Sequence, residues 1–368
     1  MATLRSAPTA ELAGVSSEAC GPAALADLGK DQRLLVLTET PLNVETPLSL
    51  LDTPITPVER IFMRNNHELV HTEQACWSLT LDGLVRRPLT FSFDDLLELP
   101  RSCYVAVLEC SGNGRTAFAE AGTPAEGLSW GQGAVACAEW IGAPLALLLE
   151  RAGVKATALQ AECTSAGPEP FVRGVELSKL LDDAMLAYAV NGQPIPAAHG
   201  GPVRLVVPGW GGVNWVKWIS GMRLIAHESL SHFNQERYVI YGADGQVTAK
   251  VRELQVKSII TGPTAGELLR PGLVEVRGWA WSAGNGVAQV ELSANGGASW
   301  QPAQLAANQG PRAWRGFHWA WHATPGRHTL MARATDGAGA TQPLTAPFNS
   351  LGYLNNAAHR VEVNVEAL

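Results

Sequence analysis

Apolar and polar positions alternate in several short stretches of the first half of the chain. Trp77, Leu79 and Leu81 are separated by polar residues, as are Leu89, Phe91 and Phe93. Period two of this kind predicts half-buried strands. Asp94 then reads as an N-cap for the helix Asp95-Leu-Leu-Glu-Leu, which Pro100 stops. Tyr104 to Leu108 is a continuous apolar run and predicts a buried strand. The glycines of Glu109-Cys-Ser-Gly-Asn-Gly-Arg115 demand a loop after it. Leu145 to Ala152 predicts a helix closed by Gly153, and Leu177 to Leu186 a second one. Val203 to Val207 predicts a strand, ended by Pro208-Gly-Trp-Gly-Gly212.

From about Lys250 the helical pattern disappears. Val274, Val276, Val287, Val290 and Leu292 sit in short alternating runs, Asn295-Gly296 is a hairpin signal, and further runs follow at 314–321 and 328–334. Strands at this spacing predict a β-sandwich of about 110 residues. Trp279, Trp281, Trp300, Trp314, Trp319 and Trp321 fall here and read as core and interface packing. The fold class is α+β: a mixed domain over 31–249, then a sandwich over 250–368. Residues 1–30, rich in Ala, Ser and Gly without periodicity, read as a poorly ordered tail.

Charge narrows the possible partners. With 27 basic and 34 acidic residues the net charge is 27 − 34 = −7. No nucleic-acid partner is expected, because phosphate binding needs a basic face. No run approaches the ~20 apolar residues of a membrane span, and the N-terminus has neither a signal-length apolar stretch nor a twin arginine. The expected location is cytoplasmic, or periplasmic if an export signal has been removed. The six cysteines (Cys20, Cys76, Cys103, Cys110, Cys137 and Cys163) form no CxxC pair and read as reduced thiols.

Four segments carry candidate chemistry. Cys110 follows a strand and opens a glycine-rich loop ending in Arg115. A nearby arginine favours a thiolate, and thiolates suit soft or high-valent metals; a buried small hydrophobe is the plainer alternative. GNGRTA (112–117) fits GxGxxA, but Phe118 to Pro124 breaks where a dinucleotide site needs a helix. His67-Glu-Leu-Val-His71 is a literal HExxH, with a doubtful helix and no clear third ligand. His199, Arg204 and Lys217 gather cationic or titratable groups around a strand and a glycine turn. They read either as a solvated face or as a clamp for a phosphate-bearing cofactor.

Taken in order, several segments resemble the sulfite oxidase family of molybdopterin enzymes. They are IFMRNN (61–66), WSLTLDGLVRRPLTFSFDDLLELP (77–100), LECSGNGR (108–115), GLSWGQGAV with AEWIGAPLALLLERAG (127–153), MLAYAVNGQPIPAAHGGPVRLVVPGWGGVNWVKW (185–218), VEVRGWAWSAGNGVAQVELSANGGASWQ (274–301) and ARATDGAGATQP (332–343). The family also includes the molybdenum domain of plant nitrate reductase and the bacterial sulfite and sulfane dehydrogenases. The resemblance implies a molybdopterin domain followed by an immunoglobulin-like sandwich that forms a homodimer.

It also implies roles. Cys110 matches the thiolate that binds molybdenum. Arg64 and Arg115 match arginines beside the metal, and Asn65 and Asn66 lie in the cofactor-contacting loop. His199, Arg204 and Lys217, with Trp215 and Val216, match the clamp on the pterin and its phosphate, and Tyr238 the active-site tyrosine. The implied reaction is oxidation of sulfite, a small anionic substrate, to sulfate by oxygen-atom transfer at the molybdenum–molybdopterin centre. No cytochrome b5-like or CxxCH segment is present, so the expected electron acceptor is separate, a cytochrome c-type protein or oxygen. Leu351 stands where the family carries a substrate-contacting arginine, and Arg237 where animal members have an acidic residue. Those departures keep a sulfane-sulfur or other oxyanion substrate in view. A cofactor-free assembly subunit is the reading from a different class.

Overall fold

A computed structural model describes residues 22–242 and 244–367. Residues 1–21, the bulk of the expected tail and with it Cys20, lie outside the described residues. The rest of that stretch is not a tail: Pro22–Asp27 is a short helix. Leu25 and Leu34, both buried, pack with Val44, Met63 and Ala198. The aperiodic sequence hid this segment because its apolar residues are anchored one at a time by distant partners.

The first part is built on two five-stranded sheets. One pairs Ser102–Glu109, Val135–Pro144, Met185–Val190 and Gln193–Pro194 in that order, with Arg204–Val206 also on Met185–Val190. The other has the order Leu89–Ser92, Ser78–Gly83, Ile219–Ile225, Gln160–Ser165, Val172–Glu176. The alternating pattern lands as expected: Leu79 and Leu81 are fully buried and their neighbours face out. Between and around the sheets lies one apolar cluster that includes Leu79, Leu96, Trp140, Leu148, Leu205 and Ile219.

Helix Leu145–Ala152 matches its prediction, with Gly153 left-handed at φ 69° closing it. Two helical expectations need correction. The helix near 95 is Phe93–Leu97, and its cap is Ser92, not Asp94. Ser92 and Asp95 exchange backbone and side-chain bonds in a capping box, which satisfies two helix-start donors at once. The second helix stops at Asp182, and Met185–Val190 is a strand. Its apolar run continues the helical pattern, but three neighbouring strands claim its backbone.

The second part is a sandwich. Lys257–Gly262, Gly272–Trp281, Arg315–Ala323 and Gln304–Leu305 form one sheet. Leu268–Leu269, His359–Val365, Gly326–Asp336, Val287–Ser293 and Gln301–Pro302 form the other. Inward positions meet in a core that includes Val276, Val290, Leu292, Phe317, Leu330 and Val363. Asn295-Gly296 does lie in a hairpin connection, between Val287–Ser293 and Gln301–Pro302, although the loop is longer than a two-residue turn.

Three tryptophans of this half tie it to the first. Trp279 stacks on Trp314 with centroids 4.7 Å apart. Their indole N–H groups donate to Leu51 O and Pro54 O, each at 2.7 Å. Trp281 donates to Glu109 Oε2 at 2.8 Å, one residue before Cys110. The same carboxylate accepts from buried Lys257 Nζ at 3.0 Å, and Lys257 also donates to Asn113 O. The sandwich therefore grips the loop that carries Cys110.

Candidate functional site

Strand Ser102–Glu109 pairs with Val135–Pro144 up to Glu109 and Val135. Cys110 then turns off the sheet edge. Its N–H donates to Ala134 O at 2.9 Å, and its carbonyl accepts from Asn113 N at 2.9 Å. Asn113 in turn bridges Glu109 Oε1 and Ala134 N, so the loop is closed by its own side chain. The antiparallel pairing also disposes of the GxGxxA reading. A one-turn helix, Thr116–Glu120, does begin there, but no parallel βαβ unit surrounds it.

The Cys110 thiol opens into a cavity of about 550 Å³, within the size range of small-molecule and cofactor sites. Burial raises the pKa of the thiol, while Arg64, a Gly112 backbone contact and Arg115 pull it down. Beside it Ser111 Oγ is buried without a hydrogen-bond partner in the protein.

Cations ring the cavity. Arg64 sits on the segment that Val44 and Met63 pin by mutual backbone bonds. Its guanidinium donates to Asn66 Oδ1 at 2.5 Å and to Asn65 O. Asn65 is itself fixed by Asn43 and by Leu42 O, and accepts from Lys217 Nζ. Gly200, at φ 96°, lets the chain pass against Lys217; a Cβ there would lie 2.6 Å from that of Lys217. Arg204 donates to His199 O at 2.8 Å and Trp215 O at 2.9 Å, sandwiched near the rings of Trp140 and Trp215. Its Nε is buried and unpartnered.

Desolvation brings Arg204 down to about 9 and lowers His199 and Lys217 well below their ordinary values. Among the described residues, Arg64, Arg204 and Lys217 form no ion pair with any carboxylate. Buried charge of one sign without a counter-charge is costly. These residues therefore fit an anionic group with several oxygen acceptors, reaching from Lys217 and Arg204 to the Cys110 sulfur. A phosphorylated pterin dithiolate holding a thiolate-seeking metal has that chemistry.

Tyr238 also lines the cavity. It holds φ 54°, a conformation that bulky residues rarely adopt and that clusters at functional sites. Its ring stacks on Tyr353 at 5.0 Å, with Arg173 at 5.9 Å.

Comparison with known proteins supplies the family. Residues 67–233 match the oxidoreductase molybdopterin binding domain, and residues 248–366 the Mo-co oxidoreductase dimerisation domain. Sulfite oxidase of Arabidopsis thaliana is 30% identical over 367 residues, covering 89% of this chain and 93% of that protein. The chain belongs to the sulfite oxidase family. The mitochondrial sulfite oxidase of Homo sapiens is 34% identical over 359 residues, 90% of this chain and 66% of that protein. The chain thus spans just under two thirds of the length of its mammalian relatives. Among solved structures, the sulfane dehydrogenase SoxCD of Paracoccus pantotrophus superposes with a TM-score of 0.83 at 28% identity, covering 98% of this chain and 96% of that one. The α+β domain and the immunoglobulin-like sandwich are therefore the architecture of this family.

Within that frame, the cavity gathers Arg64, Asn65, Asn66, Cys110 and Tyr238 with His199, Arg204, Trp215, Val216 and Lys217, the residues expected to form the clamp. Arg115 departs from expectation: it is not on the cavity wall. Its Nε and Nη2 donate to Leu351 O at 3.1 and 2.9 Å and Nη1 to Leu128 O at 2.6 Å. With its donors on backbone carbonyls, it acts on the site through its charge and by holding the 351 segment. Leu351 is buried in an apolar group with Tyr238, Tyr353 and Val213. Arg237 is near the surface, 3.9 Å from Glu126.

The HExxH segment forms no helix; His67 pairs with Glu169 at 2.6 Å at the cavity edge. No group of three or more His, Cys, Asp or Glu able to hold a metal occurs among the described residues. Sequence reasoning missed Ser111, Phe171, Val213 and Trp218 on the wall, and Lys30 behind His199. The two glycines before Val213 were the available signal for close backbone approach there. No helix of the described residues is long and apolar enough to cross a membrane.

Proposed function

We propose that this chain is a molybdenum-dependent oxidoreductase that converts sulfite and water to sulfate, two protons and two electrons. The observation that carries the reading is the uncompensated cation set, Arg64, Arg204 and Lys217, sharing one cavity with the Cys110 thiol. Bound there, the molybdenum–molybdopterin group would supply oxygen-atom transfer and take up the two electrons. Cys110 provides the protein's metal ligand. His199, Arg204 and Lys217 hold the phosphate end, with Trp215 and Val216 as the adjoining wall. Arg64 draws the substrate anion toward Cys110, and the Tyr238 phenol orients it by hydrogen bonding. Val213 and Phe171 exclude water from that end. The electrons leave to a separate acceptor, a cytochrome c-type protein or oxygen, and the segment 248–366 supports a homodimer.

The test is molybdenum and pterin content of protein from cells able to make the cofactor, with sulfite-dependent reduction of cytochrome c or ferricyanide. Wild type should hold molybdenum near one atom per chain. Cys110→Ser should lose both metal and turnover while unfolding stability changes by less than about 2 kcal/mol. Unchanged turnover in that variant would refute the thiolate ligand. Well-folded wild type free of molybdenum would leave the assembly-subunit reading.

One observation favours a second substrate. Leu351, buried with Tyr238 and Val213, leaves no cation where the family resemblance expects an arginine, which weakens the pull on a free dianion and suits a sulfane sulfur better. The sulfane dehydrogenase SoxCD is also among the solved structures this chain resembles. Steady-state kcat/KM for sulfite against thiosulfate and a persulfide separates the two.

A further inference from the structure

His199 presents its ring to the cavity and is 3% exposed. Its Nε2 lies 2.8 Å from Lys30 Nζ. Among the described residues no side chain bonds its Nδ1, and the Val58 carbonyl, which Lys30 also meets, lies close to the ring. Lys30 is also buried, and its ammonium donates to Val58 O at 2.6 Å and Ile61 O at 2.7 Å. An ammonium has three hydrogens and no lone pair. Two hydrogens are used on carbonyls, which can only accept, and the third faces Nε2. A ring that accepts at Nε2 and is neutral must carry its hydrogen on Nδ1.

Of the two groups the lysine is the better seat for the proton, because two carbonyls that can only accept take its hydrogens. Burial lowers the Lys30 pKa to about 7, against Glu59 and Asp31, which raise it. Burial, with Lys30, Lys217 and Arg204 facing the ring, holds His199 well below 6.5, against the Val58 carbonyl. Lys30 is also held by a built support. Its N–H donates to Leu25 O at 2.7 Å, Asp31 N donates to Glu59 O at 2.9 Å, and Leu25 and Leu34 are buried on either side. This support lies outside residues 67–233, the span that matches the molybdopterin binding domain.

We infer that Lys30 is a positioning residue that fixes His199 as its Nδ1–H tautomer, so that the ring offers a hydrogen-bond donor to the anionic cofactor. The inference rests on the cofactor reading for what the donor meets, but not for the tautomer itself. A ring free to turn, or protonated on Nε2, would point a lone pair at a phosphate or pterin oxygen. That contact repels. The lysine therefore adds its effect without touching the cofactor, in the way an outer partner sets which nitrogen of a histidine is available.

Nitrogen-15 NMR of histidine-labelled, cofactor-loaded protein tests this directly, with the His199 signals assigned by their loss in His199→Ala. The expected result is a protonated Nδ1 and an unprotonated Nε2. A protonated Nε2 overturns the inference, and this measurement needs no variant of Lys30. A double-mutant cycle then separates positioning from propping. Lys30→Met should speed release of pterin and molybdenum by roughly ten-fold, the effect of one charge-assisted hydrogen bond. In the His199→Ala background the same change should have no effect on release. Equal acceleration in both backgrounds overturns the inference, because the lysine would then support only the fold. If wild type holds neither pterin nor molybdenum, the cofactor reading fails. The tautomer of the empty protein still decides the role of Lys30.

Discussion

Two groups of cations, one at the junction of the two parts and one in the cavity, are treated in opposite ways. At the junction of the two parts, Lys257 is 2% exposed and meets the Glu109 carboxylate, while Trp281 and Asn113 fill the other positions of that carboxylate. In the cavity, Arg204 and Lys217 have backbone or amide partners and no counter-charge, and Arg204 Nε has no partner at all. The junction is complete as it stands. The cavity is complete only with an anion in it. Whether a buried charge is structural or ligand-binding is thus read from what neutralises it, and burial alone does not decide the matter.

The largest expected effect lies at the junction. Lys257→Met leaves Glu109 buried and uncompensated, which should cost about 3–5 kcal/mol in denaturant unfolding. Adding Glu109→Leu should recover much of that loss. A single variant of unchanged stability would remove the distinction between the two regions.

Acid should attack the buried neutral histidines next. His359 accepts from Ile260 N through Nδ1 at 3.0 Å, and burial, with Lys257 nearby, lowers its pKa to about 4. The unfolded chain binds this proton below about 6.5 and the folded protein only below about 4. Unfolding therefore takes up a proton between those values, and stability falls as pH drops through that window, then levels off. The shift corresponds to roughly 3 kcal/mol. His199, also lowered, adds to the same slope. His359→Phe should flatten the pH dependence of the unfolding midpoint; an unaltered slope would exclude His359 as a source.

The smallest effect has the opposite sign. Lys217→Met removes a desolvated cation from a site lacking its anion. The cofactor-free variant should be more stable than cofactor-free wild type, by about 1–3 kcal/mol. Its molybdenum and pterin content should nevertheless fall. If Lys217→Met destabilises the empty protein, the cavity is compensated after all.

Local signals made much of this legible in the sequence. Leu145–Ala152 with Gly153 and the strand before Cys110 need only their own residues to be recognised. The family resemblance placed Arg64, Cys110, His199, Arg204, Lys217 and Tyr238 around one centre, and the cavity gathers all six. What escaped depends on distant partners. Lys30 matters only because residues 58, 61 and 199 converge on it, and Pro22–Asp27 is anchored from Val44, Met63 and Ala198. Arg115 was visible as a cation, but the carbonyls that take its donors are 13 and 236 positions away. Residues 185–190 carry an apolar run that fits helix and strand alike; pairing decides.

The bond from Arg115 to Leu351 O has a companion: Leu354 N donates to Ser111 O at 2.9 Å. The loop bearing Cys110 is thus tied by residues near the far end of the chain. A nascent chain that has reached only residue 300 therefore holds a Cys110 loop without these ties. Residues 351–354 can close on the loop only after the sandwich strands that precede them have been made, so the order of synthesis leaves this corner of the cavity open to the last.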